Sequence, residues 1–270
     1  MQTKFSDIKK LKLIACDLDG TLLLNGAQRL QPNTCKLIHR LTKAGVVFMA
    51  ASGRQYESLK RLFAPIMPEI AYLCENGCIS YFEEEMVHQT TMEKELGKEI
   101  IEDILATDGC EALVSGRNVS YLQPKRMSYH NHIRDDVRNN VKTVQSLLRI
   151  PEPYMKISVY REGGLTEEDI RYWNKEYGKR VHVVTSGNEW LDMMPLGVDK
   201  GSGMLPLLKL LNVAPEECMA IGDNYNDREM LEMVGMPVAV DTAKPEILEM
   251  CGDHTDTVEH YLERILSDIL

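Results

Sequence analysis

No stretch of 18 consecutive apolar residues occurs in this sequence, which excludes a membrane-spanning helix of ordinary length. The N-terminal residues carry lysines but no apolar run long enough for a signal peptide, so secretion is not expected either. None of the seven cysteines stands in a CxxC arrangement, and an odd set scattered through apolar runs fits buried, reduced thiols better than a disulfide framework. A cytoplasmic setting follows as the expectation. Positive charge is in deficit as well: 31 Lys and Arg face 41 Asp and Glu, for a net charge of -10 and a pI near 5.3. General nucleic-acid binding, which needs basic clusters to displace counterions from phosphates, is therefore not expected. Any phosphate the chain handles must be met locally, by a metal or a few placed cations. The GxxxxGK[ST], GxGxxG and GxSxG patterns are absent too, which sets aside a P-loop ATPase, a Rossmann dinucleotide site and a serine hydrolase. Lys200-Gly-Ser202 has the ending of a P-loop without its upstream glycine.

With 44% hydrophobic and 27% charged residues over 270 positions, the chain can bury substantial cores in water. At roughly 150 residues per domain it should form about two. The periodicity predicts strands at residues 11–16, 46–51 and 70–74, separated by helices at 32–44 and 55–63. The same alternation returns as a helix at 205–211, a strand at 218–221, a helix at 226–234, a strand at 237–240 and a closing helix at 257–270, with Pro206 in the first turn of its helix. Strands joined through helices imply parallel pairing, because a parallel pair needs a long crossover. Between these halves the pattern changes to helices at 93–107, 135–148 and 166–177 among strands at 112–114, 119–122, 154–160 and 181–185. The expected architecture is α/β: a doubly wound, Rossmann-like parallel core made of residues 1–82 and 190–270, with a smaller α/β domain, 83–189, inserted into it.

Asp17 and Asp19, in Asp17-Leu-Asp-Gly-Thr-Leu-Leu23, stand where the first apolar run stops. By themselves they read equally well as turn residues. In an open parallel sheet, however, ligands bind beyond the carboxyl ends of the strands. That edge also receives Ser52-Gly53-Arg54 after the second strand and Gly222-Asp223-Asn224-Tyr225-Asn226-Asp227 after the strand at 218–221. Four crowded carboxylates, Asp17, Asp19, Asp223 and Asp227, would repel one another unless a cation neutralised them, and oxygen-only ligation of this kind suits Mg²⁺. Ser52 offers a hydroxyl and Gly53 an unobstructed N–H for an anion, although Ser52 reads also as a helix N-cap. Lys200, in Gly197-Val-Asp-Lys-Gly201, could balance a nucleophilic carboxylate.

The ordered set DLDGT, ASGR, GVDKG and GDNYND resembles the haloacid dehalogenase superfamily of Mg²⁺-dependent phosphohydrolases. The large insert between the second and third motifs is similar to that of the Cof-type branch, which carries an α/β (type IIB) cap. The resemblance implies Asp17 as nucleophile, forming an aspartyl-phosphate, and Asp19 as general acid and then base. It implies that Ser52, Gly53, Lys200 and Asn226 meet the phosphoryl group. It implies that the Asp17 side chain, the Asp19 backbone carbonyl and Asp223 hold Mg²⁺, with Asp227 in support and orienting Lys200. The expected activity is hydrolysis of a small phosphorylated metabolite such as a sugar phosphate. A phosphotransferase or mutase on sugar phosphates, or a silent binding protein on the same scaffold, are the alternatives.

The chain departs from the pattern at Val240-Asp241-Thr-Ala-Lys244, where relatives often show Met-Gly-Asn-Ala, and a carboxylate at Asp241 could repel an anionic substrate. His130-Asn-His132 reads as a polar loop rather than a metal pair. Lys125, Arg126, Arg134 and Arg138, beside Tyr129, form a basic stretch in the insert that reads as a solvated face.

Overall fold

A computed structural model of the protein describes residues 8–137 and 139–269. The chain opens with β1 (Leu13–Asp17), β2 (Val47–Ala51) and β3 (Ala71–Cys74), which pair in parallel through helices Thr34–Lys43 and Tyr56–Leu62. It then turns back in two antiparallel strands, β4 (Ile79–Phe82) and β5 (Glu85–Gln89). The insert supplies β6 (Cys110–Ser115), β7 (Ser120–Leu122), β8 (Val141–Thr143), β9 (Lys156–Arg161), β10 (Val181–Thr185) and β11 (Trp190–Pro195). The chain returns as β12 (Cys218–Gly222), β13 (Met236–Val240) and β14 (Asp253–Thr255).

The core sheet has the order β14-β13-β12-β1-β2-β3-β4-β5, and the inserted sheet the order β10-β11-β9-β6-β7-β8. All five residues of β1 are buried, as a strand covered by helices on both faces requires, so its sequence is continuously apolar up to Asp17. Because β2 lies on one side of β1 and β12 on the other, the strand order reverses at β1. That switch point opens the crevice in which an open α/β sheet binds its ligand. The insert folds around a separate core that includes Ile100, Ile104, Tyr154, Trp173 and Leu191. Strand pairing divides the chain later than residues 82 and 189: β5 still belongs to the core sheet, and β11 still belongs to the inserted one.

Two sequence expectations are corrected. The described residues of 135–148 do not form one helix: a short π-helical turn, His132–Asp136, is followed by β8 and a 3₁₀ turn, Leu147–Arg149. Asn139 donates to Ser120 Oγ at 3.1 Å and the Asn140 side chain to the Asn118 carbonyl at 2.8 Å, while Val141 and Thr143 pair with β7. Two poor helix formers with bonds elsewhere, followed by β-branched residues, favour the strand. The second correction concerns Pro206, which lies inside helix Lys200–Leu211 and not in its first turn. Asp199 caps that helix, accepting from the Ser202 N–H at 2.7 Å while Ser202 Oγ accepts from the Asp199 N–H at 2.9 Å, and so begins it five residues before 205. No helix among the described residues is long and apolar enough to cross a membrane, and all seven cysteines are free.

Candidate active site

β1 delivers Asp17, 4% exposed, to the switch point, and the chain then turns tightly, with the Leu23 N–H donating to the Leu18 carbonyl at 2.7 Å. Gly20 makes the turn possible. Its φ is +97°, and a Cβ there would lie 2.4 Å from Asp223 Oδ2. Gly20→Ala should therefore cost about 1–3 kcal/mol in backbone strain and push Asp223 aside. Urea unfolding and a divalent-cation titration by calorimetry should show lower stability together with weaker cation binding.

Lys200, fully buried at the start of its helix, donates through Nζ to Asp17 Oδ1 at 2.5 Å and to Asp227 Oδ1 at 2.6 Å. The other Asp227 oxygen accepts the N–H groups of Asp223 at 3.0 Å and Asn224 at 3.1 Å. Asp227 occupies the N-cap position of helix Arg228–Met233, yet its carboxylate is spent on Lys200 and this loop and not on capping. Asp223 accepts from Thr21 Oγ1 at 2.8 Å, and its carbonyl accepts the Lys244 N–H at 2.9 Å.

Burial opposes the charge of Lys200, but Asp17 and Asp227 more than offset it and hold the ammonium above the usual lysine range. Burial and the nearby Asp227 push Asp17 up, against the pull of Lys200, and push Asp223 up in the same way. Lys200 and Asp17 thus make opposite demands on one hydrogen bond. The geometry, a fully buried Nζ between two carboxylates, favours the charged lysine paired with them. Ligand atoms of Asp17, Asp223 and Asp227 lie within 4.8 Å of one another, the one such group among the described residues. Three carboxylates against a single ammonium leave negative charge in excess, so a hard divalent cation fits this donor set. With both Asp227 oxygens engaged, Asp17 and Asp223 are the carboxylates left to face it.

Ser52 is 1% exposed, and its Oγ accepts the Arg54 N–H at 3.1 Å. The next helix is preceded by Gln55, so Ser52 is not its N-cap. Asp19 is not part of the buried cluster: its side chain, 54% exposed, receives Arg54 Nε at 2.8 Å and Nη2 at 2.5 Å. Asn226 donates to Asn76 Oδ1 at 3.1 Å. A cavity of about 380 Å³ lies between the sheets and is lined from the core by Asp17, Asp19, Ser52, Gly53, Arg54 and Asn226. His132, Lys156, Trp190 and Asp192 line it from the insert.

Arg54 and Thr21 were missed as site residues although both stand inside the quoted motifs, where an arginine after Ser-Gly and a hydroxyl after Asp-Gly were the available signals. Asn76 and Trp190 gave no comparable signal. His132 stacks on Tyr160 at 5.3 Å instead of joining His130 in a metal site. Of the basic stretch, Lys125 donates to the carbonyls of Ile104 and Thr107, Arg126 to that of Gly109 and Arg134 to Asp135; Arg138 lies outside the described residues. Asp241 is exposed and is not among the described residues that line the cavity.

A doubly wound sheet with a lysine buried between carboxylates at its switch point, roofed by an inserted sheet, defines a capped α/β hydrolase. The profile of haloacid dehalogenase-like hydrolases matches residues 14–260, and the chain belongs to that family, as an enzyme of its phosphatase type. It is 26% identical over 233 residues to the 5-amino-6-(5-phospho-D-ribitylamino)uracil phosphatase YbjI of Escherichia coli (strain K12), covering 86% of each chain. It is 27% identical over 268 residues to an HMP-PP phosphatase of Serratia proteamaculans (strain 568), covering 94% of this chain and 95% of that one. The fold superposes on a subclass IIB sugar phosphatase of the superfamily with a TM-score of 0.82 at 18% identity, over 96% of this chain and 100% of the other. The inserted sheet is thus a cap of the IIB type.

Proposed function

We propose that the protein is a Mg²⁺-dependent phosphatase that hydrolyses small phosphorylated metabolites through an aspartyl-phosphate on Asp17. The observation that carries this reading is the buried Lys200, which spans Asp17 and Asp227 beside Asp223. Lys200 holds Asp17 in one orientation, so that its second oxygen can attack phosphorus in line while the ammonium offsets charge on the transferring group. Asp17, the Asp19 carbonyl and Asp223 would hold Mg²⁺, which when bound supplies charge neutralisation at the phosphoryl oxygens. Asp227 fixes Lys200 and the 223–224 backbone. Ser52 and Gly53 donate to the phosphoryl oxygens, and Asn226, held by Asn76, stands at the same margin. The Asp19 carboxyl, on the cavity wall and held by Arg54, protonates the leaving oxygen and then takes a proton from the attacking water. The cap closes the cavity against bulk water and meets the leaving group. A cytoplasmic setting, where thiols stay reduced, suits the seven free cysteines.

The cap side of the cavity combines the flat Trp190 and the apolar Leu113 and Val137 with polar side chains such as Asn139 and Glu189. That mixture suits sugars and heterocycles of modest polarity. The E. coli and Serratia relatives, named for a ribitylaminouracil phosphate and for HMP-PP, support including both compounds in a test. A phosphate-release screen over sugar phosphates, pyridoxal phosphate, flavin mononucleotide, nucleotides and those two compounds should give activity with Mg²⁺ that chelation abolishes. No release from any of them in the presence of Mg²⁺ would overturn the proposal.

A further inference from the structure

The buried polar junction between cap and core is centred on a cation, Lys156, to which the chemistry above gives no role, and it reaches the phosphate-binding loop. Lys156 stands on β9 of the cap and is 4% exposed. Its Nζ crosses to the core and donates to the Gly53 carbonyl at 2.7 Å, with Glu75 at 3.1 Å and Asp192 at 3.4 Å as its ion partners. Burial opposes the charge, and the two carboxylates outweigh it, so the ammonium is held above the ordinary lysine value. Asp192 in turn accepts from Ser158 at 2.5 Å, Asn76 at 2.7 Å and Ser186 at 2.9 Å, which fixes the anionic side of the junction.

The carbonyls on either side of Gly53 are secured too. The Asn76 N–H donates to the Ser52 carbonyl and the Glu75 N–H to the Arg54 carbonyl, each at 3.1 Å. Those two donors come from a turn in which Glu75, Asn76 and Gly77 all have positive φ, so the core commits an unusual backbone to holding this loop. The middle carbonyl, that of Gly53, is held by the cap lysine. The Gly53 carbonyl and the Arg54 N–H belong to one planar peptide unit, so fixing the first fixes the second. The Arg54 N–H donates to Ser52 Oγ, and a hydroxyl that accepts there keeps its own proton to donate elsewhere.

We infer that Lys156 is a positioning residue for the phosphate site: from the cap, it locks the Gly53–Arg54 peptide and thereby aims the Ser52 hydroxyl at the phosphoryl group. The cap on this reading contributes to binding the phosphate that every substrate shares, beyond choosing among leaving groups. The inference rests on the phosphatase reading.

The test compares wild type with Lys156→Met, using p-nitrophenyl phosphate as a generic ester and orthophosphate as product inhibitor in Mg²⁺. Losing a charge-assisted hydrogen bond that orders the loop should raise both KM and the inhibition constant of orthophosphate by roughly tenfold or more. A lysine needed only for folding would lower the active fraction, and so the apparent kcat, while leaving KM and the inhibition constant unchanged. Because the methionine leaves Glu75 and Asp192 without their cation, Lys156→Met with Glu75→Gln serves as the charge-balanced variant. It keeps an acceptor for Ser115, which donates to Glu75 at 2.9 Å. An orthophosphate constant within about twofold of wild type in that variant overturns the inference. Wild-type protein that releases no phosphate from any ester overturns the functional reading instead, and calorimetric binding of orthophosphate then still decides the role of Lys156.

Discussion

Asp17→Asn should abolish turnover, by about 10³-fold or more, while leaving the protein folded. The amide keeps an acceptor for Lys200 but cannot attack phosphorus. It also removes one of the crowded carboxylates, and Asp17, like Asp223, is a member of the cluster on which burial and the neighbouring Asp227 weigh against ionisation. Without Mg²⁺ the variant should therefore be at least as stable as wild type. The stabilisation gained on adding Mg²⁺ should shrink, because that gain follows the affinity of the folded state for the ion. Thermal melts with and without Mg²⁺, run beside phosphate release, check both halves. Hydrolysis at the wild-type rate would remove Asp17 from the nucleophile's role, whatever the melts showed.

Lys200→Met should be the most damaging single change to stability at the site. The ammonium is fully buried and serves two carboxylates, so its removal strands both. Breaking a buried pair from one side costs about 3–5 kcal/mol. The deficit should also depend on pH. Burial already raises Asp17, and loss of the lysine removes the principal influence acting in the other direction. A carboxyl raised in the folded state favours folding in its protonated form, a contribution present below its unfolded pKa and lost as pH rises through the folded one. Relative to wild type, the variant should thus lose less stability at pH 5 than at pH 8. Urea midpoints at the two values test this, and an equal loss at both would mean that the lysine acts through packing alone. Turnover should fall with it, since Asp17 loses its fixed orientation.

The helices and strands of the core were legible because a parallel sheet covered on both faces leaves unbroken apolar runs such as 11–16 and 218–221, each ending where the chemistry begins. The insert was less legible. Residues 135–148 have helical spacing, and what overrides it is a set of distant partners, Ser120 and Asn118 for the two asparagines and β7 for the strand that follows. Asp199 sets the start of the lysine helix, but its acceptance of the Ser202 N–H is a local signal outweighed by the apolar pattern at 205–211, which puts Pro206 in a first turn that the structure begins five residues earlier.

The sequence by itself determined the order of the motifs, the acidic and cationic residue types, and the strand ends that carry them. Those are properties of short segments, set by periodicity and by the rule that ligands sit beyond the carboxyl ends of parallel strands. Only the tertiary structure decided which partner each charge takes. Lys200 and Asp17 are 183 residues apart, and Lys156 reaches Gly53 across 103. It likewise decided that Asp19 faces Arg54, that Asp227 is consumed by the protein, and that a cap lysine meets the Gly53 carbonyl. Pairings over such separations depend on how two sheets pack, and no local pattern along the chain encodes that packing.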